Sequence, residues 1–292
     1  MGPITKSFHL GRLQRFFAKS PADQVRAVRA TLRHVFALMK ERPALKLLHG
    51  PLAAPQVLTS RSRLYVAYRP DWERDFDTHP ELRTLSGNWV KNNLRTNAGD
   101  LPRLYALLLN INQVMQDKVP GDFAEIGVYR GNSAAVLAHY GRRHGRSIFL
   151  FDTFEGFEAR DFKGVDADRS QAFADTSVDL VRGNVGDDHV VYVKGYFPES
   201  VTEDVAKRRY AVVHLDCDLY APIRAGLEFF YPRLSPGGIV IIHDYSNPCW
   251  EGAKRAVDEF MAGITESLVL MPDKSGTAMI RRGHDRLATV QT

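Results

Sequence analysis

The pattern of apolar and polar positions changes character near residue 122. From there on, short apolar runs alternate with segments whose apolar residues recur at helical spacing, over residues 131–144, 177–182, 222–231 and 249–261. This alternation favours a parallel sheet with helices on both faces. The last two runs flank a turn-forming segment and predict a terminal hairpin. The predicted strands are Phe123–Gly127, Ile148–Asp152, Val190–Lys194, Ala211–Asp216, Ile239–His243, Ser267–Met271 and Thr277–Arg281.

The first part of the chain has a different, helical pattern. Residues 20–40 place apolar side chains at every third or fourth position, and Ser20 followed by Pro21 is typical of a helix start. Prolines interrupt the pattern until residue 80, and residues 81–118 again favour helices. The sequence therefore predicts helices ahead of the sheet.

Charge divides the chain in the same way. Residues 1–50 contain ten Lys and Arg and two acidic residues, a net charge of +8, while the whole chain has +5. The rest of the chain therefore has a net charge of −3 (5 minus 8). We predict a helical, basic N-terminal extension over residues 1–90 and a second domain over residues 91–292. A basic segment of this kind could dock an anionic polymer.

The composition is that of a globular protein. Of 292 residues, 44% are apolar, and no apolar run approaches the ~18 residues of a membrane helix. The chain has only two cysteines, fewer than a secreted disulfide scaffold would use. We therefore expect a cytoplasmic protein without a membrane span.

A glycine-containing turn joins the first predicted strand to the following helix. Its spacing is GxxxG, whereas a pyrophosphate-binding dinucleotide fold uses GxGxxG. The acid just before the first glycine suits a positively charged ligand, and S-adenosylmethionine, with an ammonium and a sulfonium group, is such a ligand. We predict that this turn binds the cofactor through Glu125, Gly127, Tyr129, Gly131 and Ser133.

An acidic residue ends the second predicted strand. Asp152 follows Gly127 by about 25 residues, and an acid at this place can accept hydrogen bonds from both ribose hydroxyls of a nucleoside. With the glycine turn, this spacing favours nucleoside binding. We add Asp152 and Thr153 to the predicted cofactor contacts.

Acidic residues also follow the fourth and fifth predicted strands. Asp216 and Asp244 should meet at one edge of the sheet, because the carboxyl ends of adjacent parallel strands lie side by side. Carboxylates gathered there need a cation, and their oxygens suit a divalent ion such as magnesium. Such an ion could lower the pKa of a substrate hydroxyl, and a nearby carboxylate or imidazole could take its proton. His243 could serve as ligand, as base or as a neighbour that orients Asp244, whereas His214 is expected to be a satisfied strand histidine.

Several segments together resemble the macrocin O-methyltransferase family. They occur in the family's order over roughly residues 90–282, which makes the set fairly specific. The segments are Glu125–Ser133, Asp152–Phe157, Lys194–Pro198, Leu215–Tyr220, Tyr231–Gly238 and Trp250–Asp258.

The resemblance implies an α/β, Rossmann-like class I methyltransferase sheet of seven strands with the last pair antiparallel, here with an N-terminal helical extension. It also implies S-adenosylmethionine as methyl donor and a magnesium-dependent O-methylation, typically of sugar hydroxyls on natural products. Carried over, Asp216 would bind the cofactor and the metal and act as base. Lys194–Phe197 falls where the adenine usually rests, and we add Gly195 and Tyr196 to the predicted cofactor contacts.

This chain departs from the family at the metal site. The family usually has two consecutive acids where this sequence has His243 and Asp244. We predict metal contacts at Asp216, His243 and Asp244, and catalytic roles for Asp216 and His243. Histidine is a poor magnesium ligand, so a softer metal, weaker binding or metal-free base catalysis by His243 all stay open.

Two alternative functions are compatible with the sequence. One is methylation of an anionic polymer docked by the basic extension, and the other is a non-catalytic module that binds S-adenosylmethionine. We expect a small-molecule or glycan hydroxyl as acceptor and no nucleic-acid partner, because the basic segment lacks interleaved aromatic residues. A homodimer is possible.

Overall fold

A seven-stranded mixed sheet forms the centre of the protein. The structure, a computed structural model, describes residues 81–94 and 96–283. The strand order is β3-β2-β1-β4-β5-β7-β6. Successive strands are added on one side of β1 up to β3 and on its other side from β4 onward, so the order reverses between β1 and β4. The strands are β1 (Asp122–Ile126), β2 (Ile148–Asp152), β3 (Val190–Lys194), β4 (Tyr210–Leu215), β5 (Leu234–Ile242), β6 (Leu268–Leu270) and β7 (Ala278–Arg281).

The first five strands are parallel and the last two are antiparallel, as predicted. The predicted bounds of β2 and β3 are confirmed without change. β5 begins five residues earlier than the predicted start at Ile239. It does so because Leu234 already pairs with Tyr210, ahead of a register shift that accommodates the proline and two glycines that follow. The predicted terminal hairpin is formed by β6 and β7.

Helices cover both faces of this sheet. In β2, Ile148 and Leu150 belong to one buried cluster, and Phe149 and Phe151 belong to the other. Successive side chains of a strand point to opposite faces, so two cores arise from one continuous apolar run. The helices are α1 (Glu81–Asn93), α2 (Leu101–Gln116), α3 (Asn132–Arg143), α4 (Val178–Val185), α5 (Glu203–Ala206), α6 (Tyr220–Phe230) and α7 (Glu251–Met261).

Helix α2 places one polar residue deep in the fold. Asp100 caps its first turn by accepting from the Arg103 N–H at 3.5 Å, and the Asp100 carbonyl accepts from the Trp89 indole at 3.0 Å. These contacts join α1 to the start of α2. They hold the Arg103 side chain, which is buried, on the side of α2 that faces the carboxyl end of β4.

The predicted extension over residues 1–90 falls almost wholly outside the described residues, including the helix expected at 20–40. Only α1 belongs to it, and α1 confirms the helical pattern there. None of the helices within residues 81–94 and 96–283 combines the length and the apolar character of a membrane span.

Candidate active site

A cavity opens at the carboxyl ends of the central strands. It has a volume of about 460 Å³, within the usual range for small-ligand sites. Residues that follow β1, β2, β4 and β5 line it, and this is the edge at which open α/β sheets bind ligands. The point where the strand order reverses, between β1 and β4, lies beneath it.

The glycine turn after β1 packs directly against the end of β4. Gly127 has φ +83°, and a Cβ atom there would collide with the main-chain oxygen of Asp216. Gly131 has φ +82° and starts α3, where a Cβ atom would meet Val185 at 2.8 Å. Both positions therefore need glycine, Gly127 for the approach of two backbones and Gly131 for the close packing of α3 on α4.

Asp152 at the end of β2 organises this turn. Its carboxylate accepts from the N–H groups of Val128 at 2.6 Å, Tyr129 at 2.9 Å and Phe154 at 2.7 Å. Burial raises the pKa of Asp152, and the three N–H donors oppose that effect. The carboxylate also lines the cavity, so its remaining lone pairs are available to ligand hydroxyls.

Most of the predicted cofactor residues lie together around this cavity. Two of them do not line it, namely Glu125 and Gly131. Gly131 shapes the start of α3, as described above. The predicted residues that line the cavity are Gly127, Tyr129, Ser133, Asp152, Thr153, Gly195, Tyr196 and Asp216.

Glu125, one of the predicted cofactor residues, lies away from the cavity. Its side chain is fully buried behind the turn and is absent from the cavity lining. One oxygen, Oε1, accepts from the Ser133 hydroxyl and lies 2.7 Å from Nδ1 of His214. The acid before the first glycine therefore holds the turn and β4 together. His214 is a satisfied strand histidine, as expected.

A second group of polar residues lies at the β3 end of the cavity. The Tyr196 hydroxyl donates to Asp161 at 2.6 Å, and the Arg160 guanidinium lies 3.4 Å from the centre of the Tyr196 ring. Burial and Asp161 raise the pKa of the Tyr196 hydroxyl. Asp161 lines the cavity but was not among the predicted residues, because it ends a short 3-10 helix, Ala159–Asp161, that has no motif.

Asp216, His243 and Asp244 converge at the same cavity, as predicted. One ligand atom from each lies within 4.8 Å of the others. Nδ1 of His243 is 2.8 Å from Oδ1 of Asp216 and 2.8 Å from Oδ2 of Asp244. Two carboxylate oxygens and an imidazole nitrogen aimed at one point fit a divalent cation. The nitrogen favours manganese, iron or another transition metal over magnesium.

The buried charged groups of this cluster shift one another's pKa values. Burial alone would raise the pKa of Asp216, but Arg103 and His243 outweigh it and hold that pKa well below the usual range. Burial and Arg103 would lower the pKa of His243, but the neighbouring carboxylates raise it to about 9. Burial, Asp244 and Asp216 raise the pKa of Asp218 well above its usual range.

Two residues of this cluster have unusual backbone conformations. Asp218 has φ +60° and Asp244 has φ +61°, which is rare for residues other than glycine. Asn247 donates its side-chain N–H to Asp244 at 2.7 Å and supports it there. Such conformations cost about 1–3 kcal/mol each and persist where the surroundings enforce them, as in functional sites.

Sequence analysis missed Arg103. Its guanidinium contacts Oδ2 of Asp216 and lines the cavity. No sequence motif indicates Arg103, because it lies in an ordinary helical pattern, 113 residues before its partner Asp216.

A seven-stranded sheet of this order, with a glycine turn and acidic strand ends around the cavity, is the arrangement of the class I methyltransferase fold. The solved structure of the O-methyltransferase NovP has the same fold, with a TM-score of 0.54 and 28% identity over 63% of this chain and 80% of NovP. The chain also matches the macrocin-O-methyltransferase (TylF) family over residues 57–278, three quarters of its length, and it belongs to that family.

Two curated relatives are similar to part of this chain. One is the 8-demethyl-8-(2,3-dimethoxy-alpha-L-rhamnosyl)-tetracenomycin-C 4'-O-methyltransferase of Streptomyces olivaceus, 35% identical over 50% of this chain and 61% of that enzyme. The other is the mycinamicin III 3''-O-methyltransferase of Micromonospora griseorubida, 32% identical over 58% of this chain and 72% of that enzyme. The first match thus spans about three fifths of the relative's length.

Proposed function

We propose that this protein transfers the methyl group of S-adenosylmethionine to a sugar hydroxyl on a natural product or glycan, with assistance from a divalent cation. The observation that carries this proposal is the convergence of Asp216, His243 and Asp244 on the cavity that the glycine turn and Asp152 also line. A nucleoside and an acceptor hydroxyl can therefore meet inside one enclosure.

The reaction needs two things from the protein's own residues. The first is alignment, because the acceptor oxygen forms its bond to the methyl carbon as the carbon–sulfur bond breaks and its electron pair returns to sulfur. The second is a place for the hydroxyl proton. Asp216 lines the cavity, its side chain is 21% exposed, and its low pKa keeps it ionised. It is therefore the proton acceptor that this geometry favours.

The alternative base, His243, is less suited to that task. With a pKa of about 9, the free imidazole is already protonated at neutral pH. If Asp216, His243 and Asp244 held a cation, Nδ1 would be one of its ligands. In both states the nitrogen that faces Asp216 and Asp244 has no free lone pair for a substrate proton.

A cation would complement the weak basicity of Asp216. Asp216, His243 and Asp244 would hold it. When bound, it would lower the pKa of the acceptor hydroxyl and stabilise the negative charge on its oxygen. A carboxylate with a depressed pKa removes a proton more readily from an acidified hydroxyl than from an ordinary sugar hydroxyl.

The proposed acceptor class comes from the relatives. The name of the Streptomyces olivaceus enzyme specifies a rhamnosyl substrate, and the Micromonospora griseorubida enzyme acts on mycinamicin III. Half-buried aromatic rings of Phe157, Phe173 and Trp250 line the cavity and contact one another at 5.2–6.2 Å between ring centres. Such rings pack well against the C–H faces of a sugar.

A screen of acceptors tests this proposal. The purified protein is incubated with S-adenosylmethionine and Mn²⁺, and with glycosylated natural products, nucleotide sugars, simple phenols or an anionic polysaccharide, and methylated products are detected by mass spectrometry. We expect methylation of sugar hydroxyls in small acceptors. Methylation of the polysaccharide alone, lost at raised salt, would support the polymer alternative instead. Binding of S-adenosylmethionine without any product would support the non-catalytic module.

A further inference from the structure

Arg103 is a buried arginine that reaches the cavity from α2. Its side chain is 5% exposed, and it nonetheless lines the cavity. A guanidinium group loses its hydration on burial, and only closely placed partners compensate for that loss. The partners of Arg103 therefore indicate its role.

The first partner is Asp216, whose two carboxylate oxygens have different neighbours. Nη2 of Arg103 donates to Oδ2, whereas Oδ1 lies 2.8 Å from Nδ1 of His243. Arg103 thus occupies one oxygen and leaves the other in the acidic cluster. A carboxylate held at one oxygen by a buried guanidinium cannot rotate freely, so the direction of its second oxygen is fixed as well.

The second partner is His214, which lies behind the cavity. Nη2 of Arg103 is 3.4 Å from Nε2 of His214, and Nδ1 of His214 is 2.7 Å from Oε1 of Glu125. Arginine can only donate, so Nε2 of His214 accepts. Nδ1 therefore carries the ring proton and donates it to Glu125.

These contacts continue to the glycine turn. The Ser133 hydroxyl, which lines the cavity, donates to the same oxygen of Glu125. A chain of buried polar contacts thus runs from Ser133 through Glu125, His214 and Arg103 to Asp216. Glu125 and His214 are fully buried, so this network has few alternative arrangements.

We propose that Arg103 is a positioning residue for methyl transfer, and that His214 and Glu125 hold Arg103 in place. The proposal rests on the proposed function, in which Asp216 accepts the hydroxyl proton. Arg103 holds Oδ2 of Asp216 and thereby fixes the place of Oδ1 beside His243 at the cavity. It acts through Asp216 and does not itself contact the reacting atoms.

The test compares steady-state kinetics of four variants on an acceptor from the screen above. They are Arg103→Met, Arg103→Lys, Asp216→Asn and the matched control Arg281→Met. Arg281 pairs with Asp117 at the other end of α2, so the control removes an ion pair from the same helix away from the cavity.

We expect Arg103→Met to lower kcat by about a hundredfold while the acceptor KM changes less than about twofold, because small misplacements of a reacting group cost that much in rate. Arg103→Lys keeps the positive charge but lacks the planar guanidinium group. Its kcat should therefore lie between those of Arg103→Met and the wild type. Arg281→Met should retain the wild-type kcat. Calorimetric S-adenosylmethionine binding checks that each variant is folded.

The outcomes separate the two proposals. Full activity in Asp216→Asn would refute the role of Asp216, whatever Arg103 does. An inactive Asp216→Asn variant together with a normal kcat in Arg103→Met would refute the positioning role alone. If Arg103→Met does not fold, Arg103→Lys decides: a reduced kcat at unchanged KM supports positioning, and an unchanged kcat overturns it.

Discussion

The main-chain carbonyl of Asp216 stands where a side chain on Gly127 would begin. The turn that follows β1 and the end of β4 are thereby packed backbone against backbone. This contact joins the cofactor side of the cavity to the proposed proton acceptor. A side chain at position 127 would therefore displace the backbone of Asp216.

Replacing Gly127 should damage both stability and cofactor binding. Gly127→Ala adds a left-handed alanine at φ +83° and a collision with Asp216. We expect a loss of about 2–4 kcal/mol in the free energy of unfolding, measured by urea denaturation. S-adenosylmethionine affinity, measured by calorimetry, should fall as well. The matched control is Gly87→Ala in α1, where no atom of the described residues outside the helix's own backbone lies within 4 Å of the new Cβ, and it should be neutral or slightly stabilising. Equal unfolding free energies and equal S-adenosylmethionine affinities in the two variants would contradict the contact between Gly127 and Asp216.

Gly252 at the start of α7 anchors the loop that follows β2. A Cβ atom there would collide with the buried carboxylate of Asp166, which accepts from the Tyr220 N–H at 2.7 Å. Gly252→Ala should therefore release this loop and accelerate its cleavage by protease. It should also weaken cofactor binding, because residues of the loop line the cavity. Gly183→Ala, at an unobstructed position of α4, is the control. Unchanged protection of the loop in Gly252→Ala would refute this anchoring.

Asp152 should determine the affinity for the nucleoside. In Asp152→Asn an amide group faces the N–H donors of Val128 and Tyr129, and the charged acceptor is lost. We expect S-adenosylmethionine affinity to fall about tenfold to a hundredfold in a calorimetric titration. Asp122→Asn, at the opposite end of the sheet, should bind normally. A normal affinity for Asp152→Asn would argue against a ribose contact.

The identity of residue 243 should set the metal preference. The wild-type cluster presents one nitrogen and two oxygen ligands, and His243→Asp would present oxygens alone. We expect the wild type to bind Mn²⁺ more tightly than Mg²⁺. In His243→Asp, the ratio of the two affinities should be smaller by about tenfold or more. Mn²⁺ binding can be followed by electron paramagnetic resonance, with Mg²⁺ as competitor. The same Mn²⁺-to-Mg²⁺ ratio in both proteins would contradict a ligand role for His243.

The sheet could be predicted from the sequence because its signals are local. Apolar runs of four or five residues predict the bounds of β2 and β3. The proline and glycine near the C-terminus predict the turn between β6 and β7. Asp216 and Asp244 could be paired because topology alone brings adjacent strand ends together. These predictions needed no side-chain packing.

The remaining features depend on contacts between distant parts of the chain. Glu125 precedes the glycine turn as a ligand-binding acid would, yet it is turned inward by His214, 89 residues away. Arg103 lies in a helix whose pattern gives no reason to bury an arginine. Both side chains are explained by their partners in the folded protein, and spacing along the chain does not reveal such partners.

The central claim is that Asp216 serves a methyl transfer to oxygen within the cavity. The most direct measurement is a single-turnover reaction of the wild type and Asp216→Asn, each preloaded with methyl-labelled S-adenosylmethionine and mixed with a sugar acceptor. We predict that both proteins bind the donor and that the wild type moves the label to a sugar oxygen. Asp216→Asn should do so at least about a hundredfold more slowly. Equal rates in the two proteins, or a label found on nitrogen or carbon, would contradict the account.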